Sequence, residues 1–127
     1  MNLLLDTHAL IWFTEGNDKL SLIAKKQIED ENNNKAISIA SLWEIVIKAS
    51  RTKLGIEKSF VEINQFLLVN NIDVLDIKVS HLDTLLELPN HHGDPFDRLI
   101  ISQAITENLI VISADRHFKA YSVNVLW

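Results

Sequence analysis

Four acidic residues stand at the ends of apolar runs or at the starts of helical ones: Asp6, Glu44, Asp97 and Asp115. Asp6 closes Leu3-Leu4-Leu5, and Asp115 follows Ile110-Val111-Ile112-Ser113-Ala114. Both runs read as strands. Glu44 and Asp97 fall in the first turns of two expected helices. In an open parallel α/β sheet, strand C-termini and helix N-termini share one edge, so residues far apart in sequence can meet there. Clustered carboxylates repel one another unless a cation joins them, and hard divalent ions choose oxygen ligands. The pattern therefore points to a Mg²⁺ site and to phosphate chemistry.

The elements that must position these acids alternate along the chain. Leu3–Asp6 reads as a strand feeding a helix through Thr7-His8-Ala9-Leu10-Ile11-Trp12-Phe13, which Gly16-Asn17 breaks. A second helix is expected from about Leu20 to Asn32, with Leu22, Ile23 and Ile28 as its apolar stripe. Asn32-Asn33-Asn34-Lys35 is a turn, and Ala36–Ile39 a buried strand. Ser41-Leu42-Trp43-Glu44 matches a capping box that opens a helix running to about Ser50. Arg51-Thr52-Lys53-Leu54-Gly55 is a basic connector. A second capping box, Ser59-Phe60-Val61-Glu62, begins a helix with Phe60, Ile63, Phe66 and Leu67 on one face. Ile72–Ile77 is a third strand, and Ser80–Leu88 a helix with Leu82, Leu85 and Leu86 inward. Asp94-Pro95 supplies an N-cap with proline at the first helical position, for a helix to about Asn108. Leu109–Ser113 is the next strand. A short helix around His117–Ala120 leads to the last strand, Ser122–Leu126.

The strands are continuous apolar runs, which implies a mostly parallel sheet of about five strands covered by helices on both faces. At 127 residues and 47% hydrophobic, one α/β domain spanning 1–127 is expected. The formal net charge of −5, from 12 Lys+Arg against 17 Asp+Glu, is not that of a general polyanion binder. Nucleic acid would have to be engaged through a local basic patch or a metal. With no cysteine, disulfides, thiolate zinc sites and thiol nucleophiles are excluded. No signal peptide or membrane-spanning run is evident, so a cytoplasmic protein with no membrane association is expected.

Each acid also has an ordinary structural reading. Glu44 could complete the Ser41 capping box or pair with Lys48 four residues on. Asp97 at N3 suits the helix dipole, Asp94 is an N-cap, and Asp115 could shape a turn with Arg116. Asp6, directly after a buried strand, is the hardest to explain that way.

Four segments carry a family resemblance in order. They are Leu3-Leu4-Leu5-Asp6-Thr7-His8-Ala9, Ser41-Leu42-Trp43-Glu44-Ile45, Asp94-Pro95-Phe96-Asp97-Arg98-Leu99-Ile100 and Ser113-Ala114-Asp115-Arg116-His117-Phe118. Together they resemble a PIN domain of the VapC type, the ribonuclease toxin of bacterial toxin–antitoxin pairs, over essentially the whole chain. The resemblance implies a three-layer α/β/α fold and a Mg²⁺- or Mn²⁺-dependent endoribonuclease. Its acidic site falls on Asp6, Glu44, Asp97 and Asp115, with Asp94 a further carboxylate nearby and Asp97 favoured as ligand. Asp6 and Asp97 would bind the principal ion. Glu44 and Asp115 would hold a second ion or orient the activated water that attacks the phosphodiester. Thr7 and Ser113 match small hydroxyl positions beside the acids. Thr52 departs from the family, standing where relatives often have glycine before Lys-Leu. The implied partners are an RNA substrate, an antitoxin protein that lays an apolar helix on the surface and inserts a basic side chain among the acids, and a second copy of the chain.

Thr7, Lys48, Arg98, Ser113 and Arg116 are candidate RNA contacts. Lys48 with Arg51 and Lys53 could guide the backbone or form a solvated helix end. Arg98 and Arg116 could contact phosphate or balance carboxylates. His91-His92 looks like a ligand pair, although loop neighbours rarely bind one ion together. His117 could be a surface residue or an RNA contact. Trp12, Trp43 and Trp127 read as core or interface residues. The alternative to an enzyme is a receiver-like or partner-binding signalling domain with a Mg²⁺ pocket. A receiver requires an acidic pair after the first strand and a phosphate-accepting Asp after the third. Thr7 follows Asp6 here, Asp76 is a loose candidate, and Lys119 is a poor substitute for the expected lysine. A phosphatase of the Asp-x-Asp type lacks its second Asp, because the sequence reads Asp6-Thr7-His8.

Overall fold

The computed structural model describes residues 1–49 and 59–127. The Arg51–Gly55 connector, with Thr52 and Lys53, lies outside the described residues. Five strands, β1 (Asn2–Leu5), β2 (Asn34–Ser38), β3 (Ile72–Leu75), β4 (Ile110–Ile112) and β5 (Val125–Leu126), form one sheet in the order β3-β2-β1-β4-β5. Every neighbouring pair is parallel. The helices are α1 (Thr7–Glu15), α2 (Leu22–Glu29), α3 (Ile39–Ala49), α4 (Phe60–Val69), α5 (Val79–Glu87) and α6 (Pro95–Glu107), with a 3₁₀ turn at Arg116–Ala120.

Strand alternation on β1 divides the core in two, because successive side chains point to opposite faces. Leu3 and Leu5 join Leu10, Ile28, Ile37, Ile45, Ile63 and Leu67 on the face covered by α1 to α4. Leu4 joins Ile100, Ile101, Val111, Phe118 and Tyr121 on the face covered by α5 and α6. The expected three layers are therefore present, and the sheet, expected to be mostly parallel, is parallel throughout. Burying side chains such as Leu4 or Ile100 is worth about 1.5–3 kcal/mol each.

Helix boundaries follow local chemistry. Asp6 caps α1 by accepting the Ala9 N–H at 2.7 Å, and Gly16 closes the helix at φ 62°, a left-handed conformation that costs glycine least. Asp94 caps α6, with Pro95 behind it, as the sequence implies. The Ser59–Glu62 capping box is formed.

Other expectations are corrected. The Ser41–Glu44 box does not open α3. That helix starts at Ile39, where the Ser38 hydroxyl accepts the Ala40 N–H, so Ser41 is inside the helix and Glu44 lies in its second turn. The structure thus ends β2 at Ser38 and not at Ile39. On α2, Ala24 and Ile28 face the core while Leu22 and Ile23 are exposed. Phe60 on α4 is also exposed. On α5 it is His81 that turns inward, while Leu82 and Leu86 face outward. The reason is polar. His81 Nδ1 accepts the Lys78 N–H at 2.9 Å and Nε2 meets Glu107 Oε1 at 2.9 Å, so a buried imidazole with both nitrogens satisfied ties α5 to α6.

Candidate active site

Strand order decides where a site can form. From β1 the chain winds outward through β2 to β3, then crosses back to place β4 and β5 on the other side of β1, so the carboxyl ends of β1 and β4 border the crevice where ligands bind in open α/β sheets. Asp6 directly follows β1, and Asp115 lies three residues beyond β4. The same order separates this chain from a receiver, whose third strand lies beside its first. Here β2 stands between β1 and β3, so Asp76 follows an edge strand remote from Asp6.

Each acid is held by groups the fold supplies. Asp6 is buried. One oxygen accepts the Ala9 N–H, and the other accepts the Ser113 hydroxyl at 2.5 Å. Ser113 Oγ in turn accepts the Asp115 N–H at 3.0 Å, which links the two strand ends. Glu44, buried on α3, accepts the Thr7 hydroxyl at 2.7 Å on Oε1 and pairs with Lys48 Nζ at 2.6 Å on Oε2. Ser41 Oγ lies 2.9 Å from the Thr7 hydroxyl. Asp97, in the first turn of α6, lies 3.1 Å from His92 Nε2, and that nitrogen also lies 2.9 Å from Asp115 Oδ2. The other Asp115 oxygen accepts the His117 N–H at 2.9 Å.

The charges are out of balance. Burial pushes the Asp97 carboxyl up to about 7, and Asp94, Asp6 and Glu44 add to the shift against the opposing pull of His92. Burial likewise raises Asp6, with Asp115 contributing, although the bonds from Ser113 and Ala9 oppose it. For Asp115, burial acts upward but is outweighed by the His117 N–H and the two histidine rings, so its carboxyl is lowered. Lys48 is raised, chiefly by its bond to Glu44. Asp97 thus feels Asp94, Asp6 and Glu44, and Asp6 feels Asp115. Such crowded, partly desolvated oxygens suit a hard divalent cation, which would relieve the repulsion that raises Asp97.

Of the candidate RNA contacts, three do other work. Thr7 and Ser113 are buried and donate to Glu44 and Asp6, so they orient carboxylates and do not reach outward. The Arg98 guanidinium donates to the carbonyls of Pro89 and Leu88 and to the Tyr121 hydroxyl, fixing the loop before α6. Lys48 sits at the site as the partner of Glu44, and Arg116 is exposed beside Asp115. Trp43, also exposed, packs edge-on against Phe96 at 5.1 Å, while Trp12 and Trp127 pack together at 5.8 Å.

Two participants were not legible as such: Ser41, read as a helix cap, and His92, set aside because adjacent histidines seldom share an ion. Of the two adjacent histidines, His92 is the one that joins the acids. The His91 ring lies against Tyr121 at 5.1 Å.

Residues 3–124 match the PIN domain family. The chain belongs to that family. Among its relatives, Ribonuclease VapC22 from Mycobacterium tuberculosis is 27% identical over 119 residues, covering 93% of this chain and 90% of that protein. The PIN fold of this chain is also similar to a solved VapBC2 structure from Rickettsia felis bound to a promoter DNA fragment. The TM-score is 0.74 at 20% identity, over 99% of this chain and 98% of the other. VapBC-1 from nontypeable Haemophilus influenzae gives 0.72 at 17% identity over 99% and 97%. A toxin–antitoxin complex from Klebsiella pneumoniae gives 0.66 at 19% over 98% and 96%.

Proposed function

We propose that this chain is a divalent-metal-dependent endoribonuclease, the toxin half of a VapC-type toxin–antitoxin pair. The observation that carries the reading is the convergence of Asp6, Glu44, Asp97 and Asp115 at the β1/β4 crevice, where burial, with the charges of Asp94, Asp6 and Glu44 added, raises Asp97 to about 7. PIN family membership and the ribonuclease relative supply the reaction class.

Asp6 and Asp97 would hold Mg²⁺ or Mn²⁺, with Glu44 and Asp115 completing the site. A bound divalent ion there supplies charge neutralisation, acidifies water and offsets charge on the scissile phosphate. The chain supplies the geometry. Ser113 and the Ala9 N–H fix both oxygens of Asp6, while Thr7 and Lys48 fix both oxygens of Glu44. Carboxylates held this way need little reorganisation as RNA enters, which is how a preordered polar site lowers a barrier. Water attacks phosphorus in line, the bond to the 3′ oxygen breaks, and that oxygen takes up a proton. The products are a 5′-phosphate and a 3′-hydroxyl, with no covalent protein intermediate. Among the described residues, Lys48 and exposed Arg116 are cations placed to meet the RNA backbone at the crevice.

The partner is an antitoxin. Exposed Leu22, Ile23, Val61 and Leu68 on α2 and α4 offer apolar surface for its helix, and a basic side chain among the acids would satisfy the same excess charge as the cation. Homodimerisation and a cytoplasmic location complete the proposal. Among the described residues no helix is long and apolar enough to cross a membrane.

The test is cleavage of end-labelled RNA by antitoxin-free protein in Mg²⁺, in Mn²⁺ and in chelator, beside Asp6→Asn. Asparagine retains the N-cap of α1, so a folded but inactive variant is expected. Equal cutting by wild type and variant, or cutting undiminished by chelator, refutes the assignment.

A further inference from the structure

His92 belongs to no element that carries an acid, yet it touches two of them. It lies in the loop between α5 and α6, with its ring edge-on to Phe118 at 6.1 Å and tilted against His117 at 5.1 Å. Its Nδ1 is 3.1 Å from the backbone nitrogen of Asp94. A backbone N–H can only donate, so Nδ1 must offer its lone pair, and in the neutral ring the single proton sits on Nε2. That nitrogen lies 2.9 Å from Asp115 Oδ2 and 3.1 Å from Asp97 Oδ2. One N–H thus faces two carboxylate oxygens from separate parts of the fold, one at the start of α6 and one beyond β4.

We propose that His92 is a positioning residue: a single donor, its tautomer locked by the Asp94 N–H, that spans Asp97 and Asp115 and sets the spacing at which they receive a divalent cation. The inference rests on the metal-dependent reading above. It also assigns the His92–Asp115–His117 cluster, whose candidate ligand atoms lie within 4.8 Å of one another. His92 Nε2 carries a proton in this arrangement and has no lone pair for an ion. It serves that cluster as a hydrogen-bond donor behind the carboxylates and not as a ligand. Partners of this kind orient ligating oxygens, and their loss typically costs tenfold to a hundredfold in metal affinity.

The test is titration with Mn²⁺ alone, read from the electron paramagnetic resonance signal of the free ion, on wild type, His92→Phe, His92→Gln and His91→Ala. Phenylalanine keeps the ring packing and removes both nitrogens, and glutamine restores a donor. Mn²⁺ affinity should fall about tenfold to a hundredfold in His92→Phe, recover in large part in His92→Gln, and stay unchanged in His91→Ala. A folded His92→Phe that binds as wild type does, or a glutamine variant no better than phenylalanine, overturns the proposal. Long-range ¹H–¹⁵N correlation of the imidazoles in the wild type keeps it testable even if His92→Phe does not fold. The Nε2–H tautomer is expected, and an Nδ1–H form overturns it. RNA cleavage by the wild type is followed in parallel. A protein that shows the affinity pattern and cuts no RNA sinks the nuclease reading alone, whereas a cutting protein with unaltered affinity in His92→Phe sinks the positioning role alone.

Discussion

Asp97 makes the stability of the metal-free protein depend on pH in a direction opposite to that of an ordinary surface carboxylate. Its pKa rises from 3.8 to about 7 on folding, chiefly through burial and then through Asp94. A raised carboxyl binds its proton more tightly in the native state than in the unfolded one. The stability it contributes is therefore fully present below pH 3.8 and is lost as pH rises to about 7. At 1.36 kcal/mol per unit, a shift of about 3 units is worth at most about 4 kcal/mol. The assay is urea unfolding in chelator at pH 5 and at pH 7.5, on wild type and on Asp97→Asn. The asparagine variant carries no titrating group there, and its own slope subtracts the contribution of the five histidines. Wild type should lose more stability than Asp97→Asn between the two pH values, by up to about 2.5 kcal/mol, because the rest of the effect falls below pH 5. Saturating Mg²⁺ at pH 7.5 should restore it, at about 2.7 kcal/mol for a hundredfold excess over Kd, in wild type but not in the variant. Equal slopes in the two proteins refute the crowding on which the site assignment rests.

Three further outcomes are expected. Thr7→Val removes the buried hydroxyl that serves Glu44 at nearly constant volume, and should cost about 1.5–3 kcal/mol in urea unfolding along with a loss of RNA cleavage. Lys48→Met leaves buried Glu44 without its cation and should destabilise the metal-free protein by about 1–3 kcal/mol, with part of the loss recovered on adding Mn²⁺; a fully neutral effect would show that Thr7 alone suffices for Glu44. Ser59→Ala breaks the α4 capping box, whose bonds run to Glu62 and to none of the site acids, so about 1 kcal/mol of stability should go with no change in RNA cleavage or Mn²⁺ affinity.

The parts of this fold legible in the sequence are those in which one residue's local chemistry and its tertiary role coincide. Leu3-Leu4-Leu5 is apolar on both faces because β1 is central, and Asp94-Pro95 caps a helix wherever it stands. The failures share a different cause. Ser41-Leu42-Trp43-Glu44 has the spacing of a capping box, but Ser38 provides the earlier cap, and the Ser41 and Glu44 side chains turn inward to Thr7. Leu82 and Leu86 looked like the inner face of α5 until the polar pairing of His81 with Lys78 and Glu107 set its rotation. His92 could not be found by spacing, since its partners lie five residues onward at Asp97 and across the crevice at Asp115. In each case a long-range polar bond overrode a pattern that was locally sound.

The same distinction explains how the chain tolerates its site. Two apolar layers meet on β1, and the acids stand at the rim of that core: Asp6 directly after β1, Asp97 in the first turn of α6, Asp115 just beyond β4 and Glu44 in the second turn of α3. The burial and repulsion that raise Asp97 are a cost that the core offsets, and on the proposed reading a cation or a basic side chain would relieve it. Metal and antitoxin would each relieve the same excess of negative charge, so the free energy gained from one is largely unavailable to the other. On the proposed reading, competition between metal and antitoxin would follow from the arrangement of the acids themselves, with no change of shape to carry it.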